Sequence, residues 1–122
     1  MLTDRRGKTG ETAAAKYLKR NGVKILLKNV RVGPGEVDLI CRQEETLVFV
    51  EVKARQHDAW ERPSEAVDKR KRRLLNQCAD AYLKELRNPE INVRFDIVEV
   101  KLDGDEVMDI QWLPNAFGPK DL

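Results

Sequence analysis

The chain contains 122 residues, of which 41% are hydrophobic and 36% are charged. This length allows one domain with a real core but not two, and the absence of a long apolar run excludes a membrane-spanning helix. The net charge is only +2, yet residues 1–31 carry nine basic and two acidic residues, and residues 90–122 carry three basic and eight acidic ones. This asymmetry predicts a polyanionic partner on one side of the molecule.

The two cysteines, Cys41 and Cys78, match no metal-binding spacing. We interpret both as reduced core residues of a cytoplasmic protein, since disulfides are rare in that compartment. The first residues contain no apolar stretch followed by a cleavage site, so no signal peptide is expected.

Hydrophobic periodicity and turn residues predict seven elements in the order α-β-β-β-α-β-β. Ser64 or Asp68 could cap the second helix. The order predicts an α/β domain over residues 1–113, with two helices flanking a mixed sheet, and a loose tail over residues 114–122. The predicted helices cover 3–21 and a segment ending near 87, and the predicted strands cover 23–32, 36–43, 46–55, 93–101 and 107–113.

Acidic side chains cluster on a predicted hairpin whose turn is 44–45. Because alternate residues of a strand share a face, Glu36 lies with Asp38 on the first strand, and Glu51 lies with Lys53 on the second. Residues whose numbers sum to 89 then face each other, so Asp38 is opposite Glu51 and Glu36 is opposite Lys53. Like charges in directly opposed positions destabilise a sheet. A divalent cation between Asp38 and Glu51 would remove this repulsion, so the hairpin is a candidate metal site.

The alternative is an exposed polar face with a cross-strand ion pair between Glu36 and Lys53. The second hairpin strand argues against it, because Leu47 and Phe49 share the face of Glu51 while valines occupy the other face. Apolar residues on both faces are typical of a central strand, where an unpaired carboxylate is costly. Carboxylates around Mg²⁺, with a lysine beside them, instead suit phosphodiester cleavage.

Short motifs spread over about residues 7–113 carry a family resemblance. They are Gly10-Glu11, Gly35-Glu36-Val37-Asp38-Leu39-Ile40, Leu47-Val48-Phe49-Val50-Glu51-Val52-Lys53, Glu65-Ala66-Val67 and Arg94-Phe95-Asp96. Together they resemble the PD-(D/E)XK nuclease superfamily, and within it the YraN-like family of small bacterial proteins, predicted endonucleases similar to archaeal Holliday-junction resolvases. The resemblance implies a restriction-endonuclease-like core and a Mg²⁺-dependent endodeoxyribonuclease, with Mn²⁺ able to replace Mg²⁺, acting in DNA repair or recombination.

The resemblance also implies roles for individual residues. Asp38 and Glu51 would be the principal metal ligands, and Lys53 would be the catalytic lysine. Glu11 looks like the helix-borne carboxylate that completes the site. It lies on the apolar face of the first helix, one turn before Ala14. Glu36 is a further candidate ligand because strand periodicity places it near the pocket.

The basic run Lys69-Arg70-Lys71-Arg72-Arg73 and the N-terminal helix are candidate phosphate-binding surfaces. Lys71, Arg73 and Arg55 are the predicted DNA contacts, and such contacts give affinity without sequence specificity. A chain this short leaves little room for a base-reading element, so branched or single-stranded DNA is the expected substrate.

Two alternatives to the nuclease stay open, a catalytically silent nucleic-acid-binding module of the same fold and a scaffold protein. A homodimer is compatible with the prediction, because one hairpin site cuts one strand and two copies would cut both.

Overall fold

The computed structural model describes residues 5–58, 67–87 and 90–118. The predicted α/β class and the order α-β-β-β-α-β-β are confirmed. The elements are α1 (Arg5–Arg20), β1 (Lys24–Val32), β2 (Gly35–Gln43), β3 (Thr46–Gln56), α2 (Lys69–Leu86), β4 (Asn92–Asp103) and β5 (Glu106–Phe117).

The five strands form one mixed sheet in the order of the chain, β1-β2-β3-β4-β5. The first three strands are antiparallel neighbours joined by tight turns. β3 and β4 are parallel, and parallel neighbours need a long crossover, which here contains α2. β4 and β5 form an antiparallel hairpin. This connectivity puts β3, which carries Glu51 and Lys53, in the centre of the sheet.

Each face of the sheet carries its own apolar core and one helix. On one face, Ala14 and Leu18 of α1 pack with Val98 of β4. On the other face, Leu75 of α2 packs with Phe49 of β3. β3 is therefore covered on both faces, as its apolar residues at successive positions predicted.

The ends of α2 follow from its flanking residues. The carboxylate of Asp68 accepts a hydrogen bond from the backbone N–H of Lys71 at 2.9 Å, which makes Asp68 the N-cap of the helix. The residue after the helix, Arg87, is its C-cap and has a left-handed backbone with φ of 56°. The alternative cap, Ser64, lies outside the described residues.

The C-terminal strand extends farther than predicted. The predicted tail began at residue 114, but β5 continues to Phe117, which is buried and stacks on Phe95 with ring centroids 5.0 Å apart. A proline alone suggests the end of a strand. Pro114, however, lies on the edge strand β5 at the point where its register with β4 shifts, and a proline, which has no backbone N–H, is tolerated at such positions. Residues 114–117 therefore belong to the sheet, while 119–122 lie outside the described residues.

A buried carboxylate fastens this end of β5 to the sheet. Asp96 on β4 is 0% exposed. It accepts hydrogen bonds of 2.9–3.0 Å from the Arg94 guanidinium, the indole of Trp112 and the backbone N–H of Asn115. The Arg94 guanidinium also donates to the side chain of Gln43 on β2. Full pairing of a buried charge is the condition under which it is tolerated.

Asp96→Asn is expected to lower the free energy of unfolding by roughly 2–4 kcal/mol. The asparagine has the same shape, but one of its oxygens becomes a donor that faces other donors. Urea denaturation measures the loss, and Asp80→Asn on the exposed face of α2 is the control, expected to change stability by less than about 0.5 kcal/mol. Equal effects of the two substitutions would contradict the role of the Asp96 network.

Candidate active site

The hairpin of β2 and β3 has the predicted register up to the point where the candidate site begins. The paired residues run from Gln43 with Thr46 to Leu39 with Val50, and the residue numbers of each pair sum to 89. The described ladder ends at Leu39 and Val50. The next N–H of β3 that needs a partner, that of Val52, donates to Oδ2 of Asp38 at 2.8 Å. A side chain thus replaces a backbone acceptor, and this substitution brings the Asp38 carboxylate next to β3.

The Asp38 and Glu51 carboxylates lie close enough to interact, although the described ladder of β2 and β3 ends one residue pair before them. The Glu51 side chain is 6% exposed, and its Oε1 makes no hydrogen bond with any described residue. Burial, followed by the negative charge of Asp38, raises the pKa of Glu51 to about 7, against the lowering effects of Lys71 and Lys53. An elevated pKa of this origin is typical of functional sites.

Two lysines from different elements approach the same oxygen of Glu51. The Nζ atom of Lys53 on β3 lies 3.8 Å from Oε2, and the Nζ atom of Lys71 on α2 lies 3.6 Å from it. Lys53 is therefore at the site, as the sequence predicted. Lys71 was predicted as a phosphate contact, and its proximity to Glu51 adds a second cation to the site.

Glu11 reaches the same region from α1. Burial, followed by the charges of Asp38 and Glu36, raises its pKa, while a hydrogen bond from the Asn29 side chain lowers it. Glu11 thus lies near enough to β2 to interact with Asp38 and Glu36, and its role as the carboxylate that completes the site stays a prediction.

A glycine brings α1 close enough for this arrangement. A Cβ atom on Gly10 would lie 2.7 Å from the Cβ of Ala54 on β3, a separation that real side chains do not adopt. The absence of a side chain at Gly10 therefore lets the helix approach β3 this closely.

Gly10→Ala is expected to lower the free energy of unfolding by roughly 1–3 kcal/mol through overpacking, although alanine favours a helix by about 1 kcal/mol. Urea denaturation of this variant, of Ala54→Gly and of the double variant tests the contact. The double variant should regain most of the stability that Gly10→Ala loses. Simple addition of the two single losses would show that the clash does not govern the approach of α1.

Glu36 lies apart from the buried carboxylates. Its side chain is 68% exposed and forms an ion pair of 3.9 Å with Arg31 on β1. The predicted opposition of Glu36 and Lys53 is not formed, because the described ladder of β2 and β3 ends before these residues. Glu36 influences the site through its charge on Glu11, and its role as a metal ligand stays a prediction.

The predicted phosphate contacts have different surroundings. Arg73 is exposed on α2 and lines a surface groove together with Arg70, Lys71 and Gln77. Arg55 instead forms an ion pair of 2.9 Å with Glu99 on β4, and its side chain is only 12% exposed. This pairing favours a structural role for Arg55, and its contact with DNA stays a prediction.

Asn29 is a site residue that the sequence did not reveal. It lies on β1 between the paired residues Lys28 and Val30, and its backbone has φ of 49°. Asparagine adopts this left-handed conformation more readily than most residues, and the register places Asn29 opposite Asp38 on β2. Asparagine is uncommon in strands, which is the one signal in the sequence that could have drawn attention to it.

The residues present fit a small hard cation. Such an ion takes oxygen ligands and retains several waters, so that two carboxylates and a substrate phosphate suffice. Glu51 offers a buried oxygen without a hydrogen-bond partner among the described residues, and Asp38 lies beside it. Within 5–58, 67–87 and 90–118, no three His, Cys, Asp or Glu side chains converge as a metal-binding group, so the candidate centre is the pair Asp38 and Glu51.

The fold and this pair of carboxylates with two lysines define a class of α/β proteins that carry a group of charged side chains at the central strand of a mixed sheet. Residues 10–100 match the family described as "Uncharacterised protein family UPF0102". The chain belongs to this family, which is the YraN-like group that its motifs resemble.

Individual relatives agree with the family match. A UPF0102 protein of Syntrophotalea carbinolica is 41% identical over 111 residues, which cover 91% of this chain and 89% of the relative. A UPF0102 protein of Caldicellulosiruptor saccharolyticus is 40% identical over 112 residues, covering 91% and 95%. The similarity therefore spans nearly the whole of each protein.

Among solved structures, the chain is similar to SfsA of Pyrococcus furiosus in complex with Ca²⁺, with a TM-score of 0.43 and 13% sequence identity. The match covers 88% of this chain and spans 63% of the length of that protein.

Among the described residues, no helix combines the length and apolar character needed to cross a membrane.

Proposed function

We propose that this chain is a metal-dependent endonuclease that hydrolyses phosphodiester bonds in DNA. The observation that supports the proposal most is the buried Glu51 carboxylate, which lies beside Asp38 and has two lysines within 4 Å. A fold selected for stability alone would replace this buried charge with an apolar residue. The arrangement costs stability, which is typical of residues retained for function.

Asp38 and Glu51 would hold the divalent cation, Mg²⁺ or Mn²⁺. When bound, the cation polarises a phosphoryl oxygen and lowers the pKa of a bound water. Lys53 would stabilise the negative charge that develops on the phosphate oxygens. Its side chain contacts Glu51 and is 35% exposed, so it can also reach a phosphate that approaches from solvent. Glu11 would orient water from the α1 side of the site.

In the proposed reaction, a water oxygen forms a bond to phosphorus while the bond from phosphorus to the leaving sugar oxygen breaks. The attacking water loses one proton to solvent and the leaving oxygen takes up one proton from solvent, so the products are a phosphate monoester end and a free hydroxyl end. The phosphate oxygens keep the negative charge that Lys53 would face. No covalent enzyme intermediate is needed.

The DNA backbone would lie along the start of α2. Lys71 and Arg73 are the proposed phosphate contacts, since Arg73 is exposed and Lys71 lies at the carboxylates. Exposed basic residues of α1, including Lys8, Lys16 and Arg20, add positive charge on a second surface. Contacts of this kind do not read bases, which supports a preference for branched or single-stranded DNA over a fixed sequence.

One observation favours a second candidate function. Only two carboxylates form the candidate centre within the described residues, and a site with weak metal affinity would bind nucleic acid without cutting it. The second candidate is therefore a catalytically silent nucleic-acid-binding module of the same fold.

Cleavage of labelled single-stranded, duplex and four-way-junction DNA in Mg²⁺, Mn²⁺ or EDTA distinguishes the two. Asp38→Ala is the test variant, and Asp80→Ala, an exposed residue of α2, is the matched control. Metal-dependent cutting by the wild type and the control, but not by Asp38→Ala, is the expected result. Salt-sensitive DNA binding without cutting in either metal would instead support the silent module.

A further inference from the structure

Two ammonium groups share one oxygen of a buried carboxylate in this site. Nζ of Lys53 and Nζ of Lys71 lie 3.8 Å and 3.6 Å from Oε2 of Glu51. Each lysine side chain is 35% exposed, whereas that of Glu51 is 6% exposed. The carboxylate is thus fixed inside the protein, while the two cations have one side toward solvent and long side chains that can turn to another partner.

The charges of the two candidate ligands and the two lysines sum to zero without any ligand. Asp38 and Glu51 contribute two negative charges when ionised, and Lys53 and Lys71 contribute two positive charges, while Glu11 adds a carboxylate that interacts with Asp38 from α1. A divalent cation added there would still meet repulsion from both ammoniums in a poorly solvated place. A nucleic-acid backbone supplies the missing negative charge, because phosphates are strong partners of lysine.

We propose that Lys53 and Lys71 are internal counter-cations of Glu51 that a nucleic-acid backbone draws away, so that divalent metal and nucleic acid bind cooperatively. This inference rests on the proposed nuclease function and describes the regulation of its site. The geometry carries it, because both lysines lie within 4 Å of Oε2 of Glu51, and the other oxygen of the same carboxylate is the one left for a cation. Binding linkage requires that metal and nucleic acid strengthen each other by the same factor.

The first test is Ca²⁺ binding without DNA, measured by isothermal titration calorimetry at constant ionic strength. Lys71→Met is expected to bind Ca²⁺ roughly 3–10-fold more tightly than the wild type, because one repelling charge is removed. Lys84→Met is the matched control. It removes the same charge from the same helix, but Lys84 is exposed in the last turn of α2, outside the basic run at its start, so we expect less than about a twofold change.

The second test is the anisotropy of a labelled single-stranded oligonucleotide, titrated in Ca²⁺ and in EDTA, with a gel to verify that the strand is intact. Ca²⁺ should tighten binding by the wild type and by Lys84→Met roughly tenfold, within the usual range for coupled sites. In Lys71→Met this factor should fall to about two or three, because one of the two shared cations is missing.

The outcomes separate this inference from the nuclease function. Cleavage by the wild type, with Lys71→Met and Lys84→Met alike in both titrations, would overturn the counter-cation role and leave the nuclease standing. Suppose that Ca²⁺ and the oligonucleotide strengthen each other's binding, that this coupling falls in Lys71→Met, and that no metal supports cleavage. The counter-cation role would then stand, and the proposed nuclease activity would be overturned. A wild type that binds no Ca²⁺, or binds no DNA in its presence, would overturn the inference.

Discussion

Lys53→Met is expected to reduce the rate of metal-dependent DNA cleavage by about 10²–10³-fold. Methionine has similar length and retains the packing of the side chain on β3, but it has no charge with which to stabilise the phosphate oxygens. Metal binding should persist, because Lys53 is not a proposed ligand, and removal of its ammonium from beside the Glu51 carboxylate removes a charge that repels a cation. Loss of cleavage without loss of metal affinity is therefore the expected signature.

The measurement is single-turnover cleavage at saturating metal, with calorimetric metal titration of the same protein samples. Lys84→Met is a suitable control, since it removes an equal charge from an exposed position in the last turn of α2 and should change the rate less than about threefold. Cleavage by Lys53→Met at the wild-type rate would exclude Lys53 as the residue that stabilises charge.

Glu51→Gln is expected to stabilise the metal-free protein at pH 8 by about 1–3 kcal/mol. The folded pKa of Glu51 is raised from 4.5 to about 7, so folding favours its protonated form. The stability of the wild type should then decrease as the pH rises from about 4.5 to about 7 and stay constant above that range. The glutamine variant has no such carboxyl group and should lack this part of the pH dependence.

Divalent metal should reverse the order of stability. At a concentration 100 times the dissociation constant, Mg²⁺ stabilises a protein that binds it only when folded by about 2.7 kcal/mol. The wild type should gain this amount, and Glu51→Gln should gain little because it has lost a ligand. Urea denaturation at pH 5 and pH 8, with Mg²⁺ and with EDTA, measures both effects. A Glu51→Gln variant that is less stable than the wild type in EDTA at pH 8 would contradict the cost assigned to the buried charge.

Much of the fold could be predicted because the signals are local. Tight turns fix the register of neighbouring antiparallel strands. Counting outward from the turn at residues 44–45 therefore placed Asp38 beside Glu51. Apolar residues at successive positions of β3 indicated a strand covered on both faces. The end of β5 could not be predicted in this way, because residues 114–117 are ordered by the distant Asp96 and Phe95, while Pro114 alone suggests a break.

The candidate site was predicted where it depends on strand periodicity and family resemblance, and missed where it depends on packing between elements. The contact of Lys71 with Glu51 requires the docking of α2 across the sheet. The pairing of Arg55 with Glu99 joins residues 44 positions apart in the sequence. Asn29 depends on a left-handed backbone within β1. None of these features has a spacing in the sequence that would reveal it.

The hydrogen bond from the Val52 backbone to Asp38 also bears on how tightly a cation can be held. Ordering a flexible side chain when a ligand arrives costs conformational entropy. Because Oδ2 of Asp38 already accepts the Val52 N–H at 2.8 Å, the rotation of this carboxylate is restricted when the sheet forms. The entropy loss belongs to folding and is absent from cation binding, so the central strand itself preorganises the ligand.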